Sequence, residues 1–429
     1  MKLNRISICN FRCFERMEVE LHPHMNVIIG NNGVGKSSLL DAISIGIGSM
    51  LLGIDSVVSP SIKKEDVRFV SYELGSTIDR QPQFSVSITC DGIINDQKLH
   101  WSRQLNTENG RTTTGEASSI RKIASDWQDE IRAGNTKVAL PLIFHYSTGR
   151  LWAQKREKQE RSQMPILNRF QGYTDCLAVM SNQKLMLRWF ERMTLIELQE
   201  GRNLPELTAV KKAVAECYLE SGTDAVDVKV HFNVRSHQLE IVYRDGSGEW
   251  HKHPFHELSD GYRNTLSLVA DIAYRMALLN PQFLDDVIKK TSGIVLIDEI
   301  DLHLHPIWQK RILKTLQSIF PCVQFIVTTH SPTVISSANG EQILILDGKN
   351  CYSHSYEVYG KDVNSVLSEV MGTSARPDEV EKLFAEFNTY LDDENIDKAK
   401  ETLKQLRELL GDHDNGVISA EVALDFAQD

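Results

Sequence analysis

Residues 30–37 read Gly-Asn-Asn-Gly-Val-Gly-Lys-Ser and follow directly on the apolar run Val27-Ile28-Ile29. The apolar run predicts a buried strand, and the glycine-rich octapeptide behind it is a Walker A, or phosphate-binding, loop. This pairing constrains the fold strongly, because such a loop grips phosphate only where a strand ends and a helix begins. Backbone N–H groups must close on a triphosphate, so Gly30, Gly33 and Gly35 stand where side chains would block the approach, and Lys36 brings a cation. Leu39, Leu40, Ile43 and Ile47 share one helical face. That places Ser37 and Ser38 at a helix N-terminus, where the dipole also favours phosphate. The expected ligands are ATP, gripped by Asn31, Asn32, Gly33, Val34, Gly35, Lys36, Ser37 and Ser38, and Mg²⁺, held by Ser37.

Three further elements follow in order: Leu258-Ser259-Asp260-Gly261-Tyr262, then Ile294-Val295-Leu296-Ile297-Asp298-Glu299, then Phe325-Ile326-Val327-Thr328-Thr329-His330. The last two are apolar strands ending in chemistry-bearing residues, at the C-terminal edge where an open parallel sheet places its ligand crevice. Phosphoryl transfer asks mainly for charge neutralisation and an aligned nucleophile. Lys36 and Mg²⁺ meet the first need, with Asp298 holding the metal directly or through water. Glu299 polarises the attacking water as general base, and His330 hydrogen-bonds the γ-phosphate.

Together these elements resemble an ABC-type ATPase head of the kind shared by SMC, RecF and OLD-like proteins, over residue 1 to about residue 345. The resemblance implies an α/β fold: an ABC-type P-loop ATPase head with an antiparallel β layer, a helical insertion and a C-terminal α-helical tail. Leu258–Tyr262 resembles the family's signature, with Asp260 and Tyr262 in place of the usual Gly and Gln. Because Ser259 and Gly261 are kept, the γ-phosphate contact is implied to survive. Ile8-Cys9-Asn10-Phe11-Arg12-Cys13-Phe14 resembles the first strands, whose basic residue, here Arg12, approaches the nucleotide. Asp298-Glu299 with Leu302-His303-Leu304-His305-Pro306 resembles the Walker B and D-loop of OLD-like defence ATPases. His303 and His305 suggest a subunit-interface loop more than a metal pair, since no third ligand stands at metal spacing. Thr148-Gly149-Arg150 and a Q-loop glutamine at Gln154 are further candidates beside the site. The signature lies 223 positions after Lys36, and in this architecture it serves the partner subunit's nucleotide. At least a head-to-tail homodimer is therefore implied.

The net charge of −11 is uneven: Lys361 to Asp429 holds 17 acidic and 7 basic side chains. Residues before 361 are thus near neutral, and overall acidity does not argue against nucleic acid. The most basic stretch, 150–161, interleaves five basic residues with Trp152 and two glutamates. It suits a solvated helical surface better than a phosphate contact. The seven cysteines are scattered without a C-x-x-C pair, which suits a reducing compartment and argues against a zinc framework. With no apolar stretch near the ~20 residues of a membrane span and no signal-peptide pattern, a cytoplasmic protein without membrane association is expected.

Four segments are expected: an ATPase lobe over 1–175, a helical insertion over 176–225, a second lobe over 226–358, and an acidic tail over 359–429. In the first lobe, alternation at Phe84–Cys90 and Leu99–Leu105 predicts a hairpin turning at Asp91-Gly92. Residues 106–119 read as a mobile loop. Alternation at Val226–Phe232 and Leu239–Tyr243 predicts a second hairpin, and Leu266, Val269, Ala273 and Met276 mark the helix after the signature. In the tail, Leu383, Phe387 and Leu391 share one face, and Ala399, Leu403, Leu406 and Leu410 another. These predict a helical hairpin too small for a core of its own, which either packs on the head or docks a partner or another subunit.

No second catalytic constellation stands out: no H-N-H cluster, no nuclease-like acidic set beyond Asp298-Glu299, and no room for the Toprim nuclease domain of OLD proteins. The compact head and short acidic tail most resemble the ATPase component of Septu-type anti-phage defence systems, including those attached to retrons. That resemblance implies an ATPase acting as sensor or regulator of an HNH nuclease partner. The alternative is a RecF-like or SMC-like repair ATPase that clamps DNA directly.

Overall fold

The computed structural model describes residues 1–147, 168–178, 183–348, 350–353 and 357–427. It divides into two compact units, Met1–Gly360 and Lys361–Asp429.

In the first unit, strands β1 (Lys2–Phe11) and β2 (Phe14–Glu20) run antiparallel, and β3 (Met25–Ile29) follows with every residue buried. A strand without an exposed face belongs in a sheet covered on both sides. β3 runs through the glycine loop into helix α1 (Lys36–Ile47). A small hairpin, β4 (Phe69–Leu74) with β5 (Thr77–Pro82), precedes β6 (Val86–Ile94) and β7 (Gln97–Leu105), which extend the first sheet to the order β2-β1-β6-β7. Helix α2 (Ser118–Arg132) and strand β8 (Leu142–Tyr146) come next. Helices α3 (Gln183–Glu200) and α4 (Pro205–Glu220) lead to a three-stranded sheet of β9 (Asp227–Asn233), β10 (Gln238–Arg244) and β11 (Trp250–Pro254). The unit continues through α5 (Asp260–Leu279), β12 (Gly293–Ile297), α6 (Ile312–Ile319), β13 (Val323–Thr328), β14 (Ile343–Leu346) and β15 (Cys351–Ser353).

The central sheet has the order β15-β14-β3-β13-β12-β8; its pairs are parallel except β14 with β15. The P-loop strand β3 thus lies between β13 and β14, from the far end of the unit. α1 packs between this sheet and the antiparallel layer, where the Trp101 indole donates to the Gly46 carbonyl at 2.8 Å. Gln324, fully buried on β13, accepts from the Leu3 amide (2.8 Å) and donates to the Leu3 and His22 carbonyls (2.7 and 2.9 Å). One side chain therefore ties the first strand to the sheet that carries the site.

Several local expectations change. The first hairpin turns at Asn95-Asp96, both with positive φ (51° and 60°), as a tight primed turn requires. Asp91 and Gly92 lie inside β6, and Gly92 is a glycine because a Cβ there would meet the Lys2 carbonyl at 2.6 Å and the Trp101 ring at 3.0 Å. The 106–117 loop is tied down: the Thr113 amide donates to the Gln104 carbonyl at 2.7 Å, and Arg103 donates to the Thr113 carbonyl at 3.1 Å. The second hairpin gains a third strand, β11.

The second unit is more than a hairpin. Helices α7 (Asp378–Asp392) and α8 (Ile396–Leu410) are joined by α9 (Asn415–Phe426), which brings Val417, Ala420 and Leu424 onto Val380, Phe387, Ala399, Leu403 and Leu406. That third helix supplies the core two helices could not enclose. Among the described residues, no helix is long and apolar enough to cross a membrane.

Candidate functional site

β3 ends at Ile29, and the loop turns through Gly30, Gly33 and Gly35 at φ 153°, 82° and 107°, values L side chains avoid. At Gly35 a Cβ would meet the Cys13 sulfur at 2.5 Å and the Phe14 ring at 2.7 Å, so the β1–β2 turn walls one side of the loop. Asn31, Asn32 and Gly33 are exposed, Val34 half-buried, and Ser37 and Ser38 open the first turn of α1. Lys36 is buried, its Nζ donating to the Gly30 and Asn31 carbonyls (2.8 and 2.9 Å). Desolvation lowers its pKa, while Asp298, Glu299 and Asp301 pull the other way.

The ends of β12 and β13 bring their groups to the same place. Ser37 Oγ donates to Asp298 Oδ2 at 2.9 Å, and Thr328 Oγ1 donates to Asp298 Oδ1 at 2.7 Å. Glu299 has a left-handed backbone, φ 51°, and its amide donates to Thr328 Oγ1 at 2.8 Å. Thr329 Oγ1 donates to Asp301 Oδ1 at 2.6 Å, and Ser331 Oγ to Gln309 Oε1 at 2.7 Å. His330 is half-buried; burial, then Lys36, lower its pKa, so its imidazole is neutral at neutral pH. Lys36, Ser37, Asp298, Glu299 and His330, 294 positions apart at the extremes, thus form one polar cluster. The sequence reading missed Thr328, Thr329 and Asp301, whose pairings join the ends of β12 and β13, distant in sequence.

Ser259 and Gly261 stand elsewhere. Ser259 is the exposed N-cap of α5, and Gly261 presses against the His303 carbonyl, where a Cβ could not fit. The signature is therefore packed on the segment after Asp298-Glu299, and α5 also lines a small cavity with Asn264, Thr265, Asp298 and Glu299. Tyr262 lies 4.7 Å from the buried Trp308 ring and 5.8 Å from Tyr218, which in turn lies 5.5 Å from Tyr243 of β10. The departure from Gln thus builds an aromatic run from the D-loop-like segment to the three-stranded sheet. Asp260 pairs with Arg263 at 2.6 Å. His305 caps the turn 306–309, accepting from the Ile307 amide at 3.3 Å, and His303 sits at φ 64°.

Arg12 is occupied by carboxylates: Nη1 meets Asp41 Oδ2 at 2.7 Å and Nε meets Asp66 Oδ1 at 2.8 Å. It borders the loop through its neighbours Cys13 and Phe14, but its own charge is already compensated. Thr148-Gly149-Arg150, Gln154 and the basic stretch 150–161 lie outside the described residues.

The family model described as "AAA domain" matches residues 5–221, just over half of the chain, and a second, "AAA domain, putative AbiEii toxin, Type IV TA system", matches 191–336. A protein named "Retron Ec83 probable ATPase" from Escherichia coli is 27% identical over 96% of this chain and 84% of its own length. "Septu protein PtuA" from Bacillus thuringiensis is 29% identical over 52% of this chain and 57% of its own. "DNA replication and repair protein RecF" from Phocaeicola vulgatus is 34% identical over 24% of this chain and 26% of its own. Among solved structures, an Smc head bound to the C-winged helix domain of ScpA aligns over 83% of this chain and 98% of that chain, at 16% identity and a TM-score of 0.48. With its phosphate-binding loop and the two acidic and histidine-bearing strand ends assembled at one sheet edge, the chain belongs to the AAA-domain family of ATPases.

Proposed function

We propose that this ATPase is a nucleotide-driven switch that restrains or releases a partner HNH nuclease in anti-phage defence. The observation that carries the reading is the Ser37–Asp298 bond at 2.9 Å, which unites the two halves of the nucleotide site. Similarity over 96% of the chain to a protein named as a retron ATPase points it toward defence.

A hydroxyl and a carboxylate are the hard oxygen donors that Mg²⁺ prefers, so Ser37 and Asp298 fit that ion. When bound, Mg²⁺ would neutralise charge on the β- and γ-phosphates. Asn31 to Ser38 present backbone N–H groups and the α1 dipole to the substrate phosphates. Lys36 exchanges two carbonyls for phosphate oxygens. Glu299 takes a proton from the attacking water, a contribution of about 10²–10⁴-fold. Neutral His330 donates an N–H to the γ-phosphate. Ser259, exposed at the N-cap of α5, and Gly261 beside it serve the nucleotide of a second copy, so the working form is at least a head-to-tail dimer. Arg12 reaches the nucleotide only on leaving Asp41 or Asp66. The 176–225 insertion separates two ATPase lobes, 1–175 and 226–358, and 359–429 docks the partner. The assembly acts in the cytoplasm.

The test is tagged pull-down from the native host, with and without nuclease treatment, alongside ATPase assays. A co-purifying small HNH protein that survives treatment, and whose cutting differs between zero and millimolar ATP, supports the reading; identical cutting at both sinks it. The Glu299→Gln variant should bind ATP without turnover and sediment as a dimer; a monomer under ATP counts against the shared site.

Direct clamping of DNA is the second reading. It is favoured by Trp250, 47% exposed, with Lys229 Nζ 5.0 Å and the Arg244 guanidinium 5.9 Å from its ring, a combination suited to phosphate and base. ATP-strengthened, salt-dependent duplex binding lost in Trp250→Ala would shift the conclusion there.

A further inference from the structure

We propose that Thr328 is the positioning residue that aims both acidic groups of the site; this rests on the roles given above to Asp298 and Glu299. Thr328 closes β13 and is fully buried. Its hydroxyl donates to Asp298 Oδ1 at 2.7 Å and accepts from the Glu299 amide at 2.8 Å. One oxygen thus fixes the side chain of the first acid and the main chain of the second.

Each bond has a separate effect. With Oδ1 held by Thr328, the Asp298 carboxylate is rotated so that Oδ2 meets Ser37 at 2.9 Å. The metal-ligand pair is therefore preset by a residue that does not ligate. Glu299 sits at φ 51°, a region in which a non-glycine residue persists only where its surroundings over-determine it. Its amide is held by Thr328, and its carbonyl accepts from the Leu302 amide at 3.0 Å. Loss of the first bond lets the backbone relax toward negative φ and carries the carboxylate away from the attacking water's position. The following bonds anchor the rest of the loop: Thr329 to Asp301 at 2.6 Å, and Gln309 Nε2 to the Leu304 carbonyl at 3.0 Å. Threonine suits the task because its branched Cβ restricts χ1 and points the hydroxyl one way.

The isosteric Thr328→Val variant removes the hydroxyl and little volume. Its kcat should fall about 10–100-fold, the range for groups that support metal ligands. The enhancement of ATP affinity by Mg²⁺, measured by calorimetry, should shrink by a similar factor. ATP affinity in EDTA should stay within about twofold, because the loop itself is untouched. Thr328→Ser should restore most of both quantities. Lys36→Ala and Glu299→Gln run alongside separate the two levels of the argument. If those variants keep turnover, the site assignment fails. If they lose it while Thr328→Val keeps wild-type kcat and Mg²⁺ dependence, the Thr328 proposal is overturned. Equal losses in the Val and Ser variants, with equally lowered melting temperatures, would also overturn it in favour of a packing role.

Discussion

Gly35 sits at φ 107° with Cys13 and Phe14 where a Cβ would stand, so both its backbone conformation and the β1–β2 turn beside it call for glycine. Gly35→Ala should cost about 1–3 kcal/mol from backbone strain alone and abolish ATP binding; thermal melting and nucleotide titration read the two effects separately. His330 carries a pH signature. Burial and Lys36 hold its pKa below the ordinary 6.5, so the neutral form persists through neutral pH. An unfolded chain takes up that proton first, so the group's contribution to stability is present above 6.5 and is lost as pH falls through its lower folded value. Turnover should stay level from about pH 8 down to the usual histidine range, with its acid limb below it; an acid limb centred at or above the usual value would contradict the site as built. At this scale the loop residues, Asp298, Glu299 and His330 could be read directly, because each follows an apolar strand. Thr328 could not, since a buried threonine looks like any strand-former until its two partners are known. Tyr262 was unreadable for the same reason: its meaning lies in Trp308, 46 positions away. Tyr262→Ala should cost about 1–3 kcal/mol through two lost ring pairs, and Tyr262→Phe much less.

Elements were readable wherever periodicity was strong and turn chemistry unambiguous. Strands β3, β12 and β13 announced themselves through the apolar runs Val27–Ile29, Ile294–Ile297 and Phe325–Val327. Alternation marked the buried faces of β6 and β9, whereas in β10 the pattern breaks because Glu240 is buried. The hairpin turn was misplaced because Asp91-Gly92 has the composition of a turn, while Gly92 is actually kept small by Lys2 and Trp101. α9 was missed because Val417, Ala420 and Leu424 carry a weak pattern beside exposed Ile418 and Val422. Its presence changes the mechanics of residues 361–429. Leu406, fully buried in that core, should cost about 2–5 kcal/mol on replacement by alanine. Hydrogen exchange should show protection lost across α7, α8 and α9 together, with α1 and the central sheet unaffected. Loss confined to α8 would mean the three helices do not fold as one unit.

The two units differ in charge as well as fold: Lys361–Asp429 holds 17 acidic and 7 basic residues, out of 58 and 47 in the chain. If the acidic unit docks the nuclease, association should slow as salt rises, about tenfold or more for a steered encounter, while dissociation changes little. Stopped-flow mixing at two ionic strengths would show this. Domain organisation was partly visible in this charge break, whereas the joining of distant strands was not, because pairing across 300 residues leaves no local pattern. That joining bears on how the protein is made. β3 has as its sheet neighbours Val323–Thr328 and Ile343–Leu346. A ribosome adding about 5–20 residues per second needs roughly 15–60 s after β3 emerges to deliver both neighbours. Through that interval the strand feeding the phosphate loop has no sheet to join. Nascent chains stalled before β13 should therefore fail to retain ATP and should recruit holding chaperones, whereas chains released after β14 should do neither. The phosphate-binding loop is among the first motifs to be translated and among the last to gain its sheet.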